Sequence, residues 1–255
     1  MEQLRIGDQI LTGQAKPRYE AVYAFGHYQP EAKGTFLVIE TQNGGTLEIT
    51  GEHLIFVESK THPVRASSVR IGDSLATNDG PVAVSRISTI TKNGLYAPLT
   101  PHGTLLVSDG IQASCYISVL QNTDDFFLLA DGTSFLSMHD GVHLFLAPFR
   151  LYCRAAVATL GDRSSACRTY NENGLPPYVD AGIQFLTWLN GQYLVAQILA
   201  IVGTFPLFGF AMALEKLLFG GVLVFLLAAA AALLCRTMFM LSICCQQSLG
   251  KTKTL

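Results

Sequence analysis

Charged residues are scarce in this sequence, at 14% of its 255 residues, against roughly 25% in a typical soluble domain. The 17 basic and 19 acidic side chains nearly balance, so there is no excess of positive charge with which to bind a nucleic-acid backbone. Hydrophobic residues make up 49% of the chain, which excludes an intrinsically disordered protein and disfavours a wholly soluble one.

Cysteine is also scarce, and its spacing excludes the common cysteine-based sites. The 6 cysteines form no C-x-x-C pair, so the usual zinc and dithiol redox motifs are absent and no disulfide framework is evident. Residues 1–5 carry charge and lack the apolar run of about 7–15 residues that defines a secretory signal. We therefore expect no metal and no cofactor, and a module that works in the secretory pathway would have to begin mid-protein.

The apolar excess is concentrated near the C-terminus. From residue 193 to 235 the sequence holds one acid and one base, Glu215 and Lys216, side by side. The hydrophobic runs 194–214 and 217–235 each approach the roughly 20 residues that cross a bilayer as a helix. A buried soluble hairpin is the alternative, and the near absence of charge disfavours it.

These runs divide the chain into a body at 1–150, a connector at 151–192 and a membrane region at 193–255. With one span, the body lies in the lumen of the endoplasmic reticulum, and the first run, bent at Pro206, lies in or re-enters the membrane. Two full spans would place the body and the C-terminus on the same side, and the sequence leaves this choice open. Basic residues tend to stay on the cytosolic side, and those after the second run are Arg236, Lys251 and Lys253.

The body has the pattern of short β-strands. Residues 35–41 and 46–50 are rich in β-branched side chains, and Asn-Gly within 42–45 indicates a hairpin between them. No helical stripe interrupts residues 1–120, so we expect an all-β barrel or sandwich. Further predicted strands are 54–57, 82–90 and 104–107.

An internal duplication is visible in the body. Leu4-Arg5-Ile6-Gly7-Asp8 is echoed by Val69-Arg70-Ile71-Gly72-Asp73, and residues 45–49 by residues 103–107. Two copies are too few for a solenoid, so the pattern predicts two β units related by a pseudo-two-fold axis. A chance repeat of a common turn sequence is the alternative, and two matched blocks in the same order disfavour it.

Several motifs then occur in a fixed order: Thr50-Gly51-Glu52-His53, followed by residues 96–104, 113–116 and 147–150, and more loosely 182–189. In these blocks the sequence resembles the Hint module shared by inteins and Hedgehog C-terminal autoprocessing domains, and the later blocks resemble the Hedgehog type. The resemblance implies a mainly β Hint fold with two pseudo-two-fold-related β subdomains, followed here by a C-terminal α-helical membrane region.

The resemblance also implies an activity. In the family, an N-terminal cysteine attacks the preceding carbonyl to give a thioester, and a sterol hydroxyl then displaces the thiol. His53 would polarise or protonate the scissile amide, and Thr50 would hydrogen-bond the same peptide and orient the histidine. The implied partners are the chain's own upstream polypeptide, a sterol or other lipid as co-substrate, and the membrane.

His27 occupies a position of special interest. The stretch Phe25-Gly26-His27-Tyr28 matches the family segment that carries an aspartate as general base for the sterol hydroxyl. A histidine with an ordinary pKa of about 6.5 can take a proton near neutral pH. The replacement leaves open whether water or another alcohol is activated, or whether His27 is a half-exposed residue at a strand end.

Cys115 has two interpretations. In the resembled family this cysteine lies near the nucleophile and can pair with it, which implies redox gating or shaping of the site. A buried free cysteine can also serve only as a small hydrophobic residue. His102, His139 and His143 are assigned no role by any motif, and we expect them to be structural.

The sequence lacks one group that the resemblance requires. No cysteine precedes Cys115, whereas the family's nucleophile is the first residue of the module. We therefore expect an N-terminally truncated module that cannot process itself as it stands, and an autocatalytic cysteine-type peptidase or acyl transferase if a cysteine lies upstream of Met1. The alternatives are a hydrolytic autoprotease that uses water, and a non-catalytic membrane-anchored Hint-fold protein.

Overall fold

The computed structural model describes residues 1–13, 17–119, 125–128, 134–160, 167–190 and 194–220. The chain divides into two compact units, Met1–Gly209 and Phe210–Leu255. Strands fill the first part of the described chain, as the sequence predicted, and helices fill the second, which begins at Met138 inside the predicted body at 1–150. The strands are β1 (Gln9–Thr12), β2 (Arg18–Ala21), β3 (Ala24–Thr41), β4 (Thr46–Thr50), β5 (His53–Ile55), β6 (Val64–Arg65), β7 (Ser74–Leu75), β8 (Val82–Leu99), β9 (Thr104–Val107), β10 (Ile111–Ile117), β11 (Asp125–Leu128) and β12 (Ser134–Ser137). The helices are α1 (Met138–Phe145), α2 (Ala147–Leu160), α3 (Pro177–Asn190) and α4 (Leu194–Phe219).

The strands β3 and β8 are the longest, at 18 residues each, and they pair antiparallel from Ala24 opposite Leu99 to Thr41 opposite Val84. They form the centre of a sheet with the order β4-β3-β8-β7. The predicted hairpin over residues 42–45 is confirmed, because β3 and β4 pair on either side of it. Both long strands extend beyond their predicted bounds because each finds a partner along its full length.

A second four-stranded sheet has the order β6-β5-β10-β9. Alternate residues of the strands face inward, as Leu47 and Ile49 do on β4. The inward side chains of both sheets form one hydrophobic core, which includes the fully buried Ile39, Leu54 and Ile55. The core therefore forms where elements of both duplicated halves meet.

The predicted duplication is confirmed by matching turns. In the first copy, Arg5 N donates to Asp8 Oδ2 at 2.7 Å and Asp8 N to Arg5 O at 3.1 Å. In the second, Arg70 N donates to Asp73 Oδ2 at 2.8 Å and Asp73 N to Arg70 O at 3.1 Å. Chance repetition of a short sequence does not reproduce this hydrogen-bond pattern at equivalent points of two β units.

The turns that follow β3 and β8 also match. Thr41 Oγ1 and Thr100 Oγ1 each contact the carbonyl four residues further on, at 3.0 and 2.8 Å. Gly44 N and Gly103 N each donate to the threonine carbonyl at 3.0 Å, and both glycines have positive φ. By these hydrogen bonds Gly103 corresponds to Gly44. The sequence match had paired Gly103 with Gly45, so the structural alignment of this turn is shifted by one residue.

The connector contains a disulfide that the cysteine spacing did not reveal. Cys153 on α2 is bonded to Cys167, and both are buried. The sequence analysis found no disulfide framework, and the structure contains at least this one disulfide. The two cysteines are 14 residues apart in the sequence, and that spacing alone does not indicate a bond. Their pairing depends on how α2 packs in the folded protein.

The helix α4 is continuous through Pro206 and through the Glu215-Lys216 pair, so the charged pair that separates the two hydrophobic runs in the sequence lies within a helix. The charge pair extends the first run instead of ending it. Residues Val202–Phe219 are long and apolar enough to cross a membrane, judged by length and composition, which is consistent with a membrane region. The remainder of the second run and the basic residues after it lie outside the described residues.

The disulfide should contribute measurably to stability. Replacing Cys153 and Cys167 by serine frees the loop between them in the unfolded chain, and we expect the free energy of unfolding to fall by about 3 kcal/mol. Urea denaturation of the wild type and the double variant measures the difference. Dithiothreitol is the internal control, because it should destabilise the wild type by a similar amount and leave the double variant unchanged. Equal stability of both proteins under oxidising conditions would contradict the pairing.

Candidate active site

The four site residues predicted from the sequence line one cavity of about 900 Å³. They are Thr50, His53, His27 and Cys115. The polar residues come from β3, the β4–β5 turn and β10, so both copies of the duplicated unit contribute to the cavity. Its volume lies within the range of roughly 300–1,000 Å³ that small-molecule sites occupy.

Thr50 and His53 meet where the chain passes from one sheet to the other. Thr50 ends β4 and His53 begins β5, and the turn between them brings Thr50 Oγ1 to 3.1 Å from His53 Nδ1. This hydrogen bond fixes the orientation of the imidazole. When Thr50 donates to Nδ1, the hydrogen of the neutral ring is on Nε2, which is then the nitrogen available as a donor.

His53 is neutral under ordinary conditions. Burial, and to a smaller extent the charge of His27, lower the pKa of His53 from 6.5 to about 4. A neutral imidazole whose Nδ1 is occupied can donate a hydrogen bond from Nε2 to a peptide carbonyl or pass a proton to a departing nitrogen. His53 is therefore an oriented hydrogen-bond donor that can act as the neutral imidazole, without being protonated first.

His27 lies on the same cavity at a β-bulge. The register of β3 against β8 shifts between Phe25, opposite Pro98, and His27, opposite Ala97. Bulges re-aim side chains that regular alternation would send elsewhere. His27 Nε2 lies 3.3 Å from Gln29 Oε1, and its charge acts on His53, although no hydrogen bond joins the two histidines within the described part of the chain.

Cys115 is buried on β10, and its Sγ lies 3.5 Å from Thr100 Oγ1. Thr100 donates its own hydroxyl hydrogen to the carbonyl of Thr104, so the thiol is the donor to Thr100. Burial raises the pKa of Cys115 to about 12. Because the thiolate is the nucleophilic form, Cys115 is not itself poised for attack, and it shapes the cavity wall as a neutral thiol.

Two histidines that no motif assigned hold the strand that carries Cys115. His139 Nδ1 lies 2.9 Å from Ser114 Oγ, and His143 Nδ1 lies 2.7 Å from Tyr116 OH. The histidines are four residues apart on α1 and their partners two apart on β10, which are the same-face spacings of a helix and a strand. Those spacings are visible in the sequence, but only the packing of α1 on β10 shows that they match.

His102 is not among the residues that line this cavity, and its Nδ1 contacts the Glu20 carboxylate. Glu20 also pairs with Arg18 Nε at 2.9 Å and accepts from the backbone N–H of His102 at 3.2 Å. The expectation that His102 is structural agrees with these contacts. Among the described residues, no group of three or more acidic, histidine or cysteine side chains is arranged to hold a metal ion.

The cavity continues from the polar residues toward α1 and α3, where its wall is apolar. Side chains from these helices and the adjoining turns form this wall, which we call the apolar wall. Its residues are Val142, Phe145, Leu146, Leu175, Val179, Ile183 and Leu186. One cavity is thus lined both by two histidines and a threonine and by a hydrophobic surface.

The low pKa of His53 predicts a specific loss of stability in acid. The unfolded chain binds a proton at this histidine below about pH 6.5, whereas the folded protein resists protonation down to about pH 4. Stability from this group is therefore present above pH 6.5 and is lost as the pH falls toward 4. His53→Gln should flatten that part of the stability curve, measured by urea unfolding at successive pH values. His62→Gln, in the loop before β6, is the control and should keep the wild-type slope, and a wild-type slope in the His53 variant would count against the assignment.

Comparisons with known proteins show which family the chain belongs to. A family model described as the Hint module matches residues 1–189. Warthog protein 1 of Caenorhabditis elegans is 32% identical over 143 residues, covering 52% of this chain and 29% of that protein. Tiggy-winkle hedgehog protein of Danio rerio is 28% identical over 203 residues, covering 74% of this chain and 44% of that protein.

Among solved structures, the MchDnaB-1 intein aligns with a TM-score of 0.38 and 16% identity, covering 45% of this chain and 87% of the intein. The chain spans less than half the length of the two curated relatives described above. The family match, however, extends over well more than half of the chain. The protein therefore belongs to the Hint module family and has the mainly β Hint fold that its sequence predicted.

Proposed function

We propose that this Hint module takes part in protein autoprocessing, cleaving a peptide bond at its own N-terminal side and transferring the upstream acyl group to an apolar alcohol such as a sterol. Membership of the family and the similarity to Warthog and hedgehog proteins support autoprocessing at a general level. The observation that carries the proposal is the single cavity lined by His53, Thr50 and His27 together with the apolar wall.

The first step is an acyl shift from nitrogen to sulfur. A cysteine thiol upstream of Met1 would attack the carbonyl before it, forming a C–S bond and breaking the C–N bond of the peptide. His53, oriented by Thr50, would pass the hydrogen of its Nε2 to the leaving nitrogen, and the proton released by the attacking thiol would restore the neutral imidazole. Cys115 does not replace the nucleophile in this proposal, since burial keeps its thiol protonated.

The second step passes the acyl group from sulfur to oxygen. His27 would take the proton of the acceptor hydroxyl as its oxygen attacks the thioester carbonyl, and the thiolate would leave. The apolar wall supports a hydrophobic acceptor, because burying apolar surface is favourable by roughly 25 cal/mol per Å². Water gains nothing from such a wall, so the wall favours an apolar alcohol over hydrolysis.

We also propose that this chemistry takes place at a membrane surface. Helix α3 contributes to the apolar wall, and helix α4 follows it in the chain. The segment Val202–Phe219 of α4 is apolar enough to cross a bilayer. A sterol is almost confined to bilayers, so a membrane-anchored module would meet its acceptor at high local concentration. The proposed location is the membrane of the endoplasmic reticulum, with the Hint module in the lumen.

The test uses the precursor polypeptide that contains this chain, after its transcript upstream of Met1 has been read for a Gly-Cys junction. Purified precursor is incubated with cholesterol in detergent, or with dithiothreitol, and the mass of the released N-terminal fragment is measured by mass spectrometry. We expect a fragment esterified with sterol. His53→Ala should abolish both reactions, whereas His27→Ala should slow sterol transfer by roughly 100-fold or more and leave cleavage by dithiothreitol intact.

Each other outcome of this experiment points to a different function. A released fragment with a free carboxylate identifies a hydrolytic autoprotease, which the histidine at position 27 favours because imidazole activates water readily. A true start at Met1 and no cleavage under either condition would identify a non-catalytic Hint-fold protein. Normal kinetics of His53→Ala would remove the assignment of that residue.

The apolar wall can be tested separately from the catalytic residues. Ile183→Asp places a charge on α3 in the wall, and we expect sterol transfer to fall at least tenfold while thiol-dependent cleavage is retained. The matched control is Thr187→Asp, an exposed position one turn further along the same helix, which should transfer sterol normally. Equal rates for the two variants would contradict an acceptor site at this wall.

A further inference from the structure

The imidazole of His27 is covered along one edge. Its Nε2 lies 3.3 Å from Gln29 Oε1, and a Cβ added at Gly174 would lie 2.9 Å from its Cδ2. Gln29 therefore covers Nε2, and Gly174, which belongs to the segment 168–175 that we call the strap, covers Cδ2. Because His27 lines the cavity, the edge that remains for the cavity is the opposite one, which carries Nδ1.

The orientation of the Gln29 amide follows from its second contact. Gln29 Nε2 donates to the backbone carbonyl of Glu172 in the strap at 3.2 Å. A carbonyl only accepts, so the amide nitrogen must face Glu172 and the amide oxygen must face His27. An amide oxygen also only accepts, so the ring nitrogen opposite it, His27 Nε2, must carry the hydrogen. The neutral ring then has its lone pair on Nδ1.

The strap is itself held in place next to His27. Tyr28 N donates to Gly174 O at 2.8 Å, and the Tyr28 and Tyr170 rings stack with centroids 5.3 Å apart. Asn171 Oδ1 accepts from the backbone N–H of Leu175 at 2.9 Å. Gly174 has a φ of +72°, and any side chain there would press on His27. The carbonyl that orients Gln29 is thus part of a fixed structure.

We propose that Gln29, held by the carbonyl of Glu172, is a positioning residue that locks His27 in the Nε2–H tautomer and directs Nδ1 at the acceptor hydroxyl. This inference rests on the proposed function and specifies that Nδ1 of His27 is the nitrogen that accepts the proton of the acceptor hydroxyl. As the acceptor oxygen bonds to the thioester carbonyl carbon, its proton passes to the lone pair of Nδ1. The C–S bond breaks, and the thiolate that leaves is neutralised by the proton returned from His27.

The first test observes the ring directly and does not depend on catalysis. The chain is labelled with ¹⁵N-histidine, and two-dimensional spectra are recorded at about pH 8, above the ordinary histidine pKa of about 6.5. We expect His27 to show a protonated Nε2 with slow hydrogen exchange and an unprotonated Nδ1. Gln29→Leu should give averaged nitrogen shifts and faster exchange, because the ring then flips and changes tautomer. Gln42→Leu, an exposed glutamine beyond the other end of β3, is the matched control.

The second test measures sterol transfer in the precursor. Gln29→Leu should lower the rate of transfer by about 10- to 100-fold and leave dithiothreitol-dependent cleavage unchanged. Gln29→Glu should restore most of the rate, since its carboxylate still accepts from His27 Nε2–H although it cannot donate to Glu172. A merely structural role for Gln29 would give equal losses for both variants.

The outcomes separate this inference from the function on which it rests. If the wild-type precursor does not transfer sterol, the proposed function fails, and the nitrogen spectra alone decide whether Gln29 fixes the ring. If the precursor transfers sterol but Gln29→Leu keeps both the wild-type spectrum and the wild-type rate, the positioning role is wrong. A wild-type ring with hydrogen on Nδ1 would overturn it outright.

Discussion

The antiparallel pairing of β3 with β8 is the constraint on which the cavity depends. β3 carries His27 near its start and leads through its hairpin into β4, which ends at Thr50. β8 ends directly before Thr100, whose hydroxyl contacts Cys115. A shift of one residue in this pairing would turn every side chain to the opposite face of the sheet. The same register that buries the core therefore also sets where the reactive side chains lie.

The parts of this molecule that could be predicted from the sequence are those whose partners are close along the chain. The hairpin at 42–45 is defined by its own turn residues, and Thr50 and His53 need only one turn to meet. The duplication was visible because each copy repeats a self-contained turn, such as the one formed by residues 69–73. In each case the hydrogen bonds that fix the geometry join residues no more than a few positions apart.

The features that could not be predicted depend on packing between distant segments. Gln29 and Glu172 are 143 positions apart, and nothing in either local sequence indicates the other. The Cys153–Cys167 disulfide depends on the path of the chain after α2. The raised pKa of Cys115 arises from burial, which is a property of the folded core. Glu215 and Lys216 separate two hydrophobic runs in the sequence, and α4 continues through them because both residues favour helix formation.

The turns after β3 and β8 repeat one hydrogen bond in different surroundings. In the first copy Thr41 Oγ1 lies 2.6 Å from Asn43 Oδ1 in its own turn, whereas in the second Thr100 receives the thiol hydrogen of Cys115. The duplicated scaffold thus holds a threonine hydroxyl at the same place in each copy, already bonded within its own turn. In the second copy a lone pair of that hydroxyl receives the Cys115 thiol hydrogen, so the turn that follows β8 also anchors a side chain of the cavity wall.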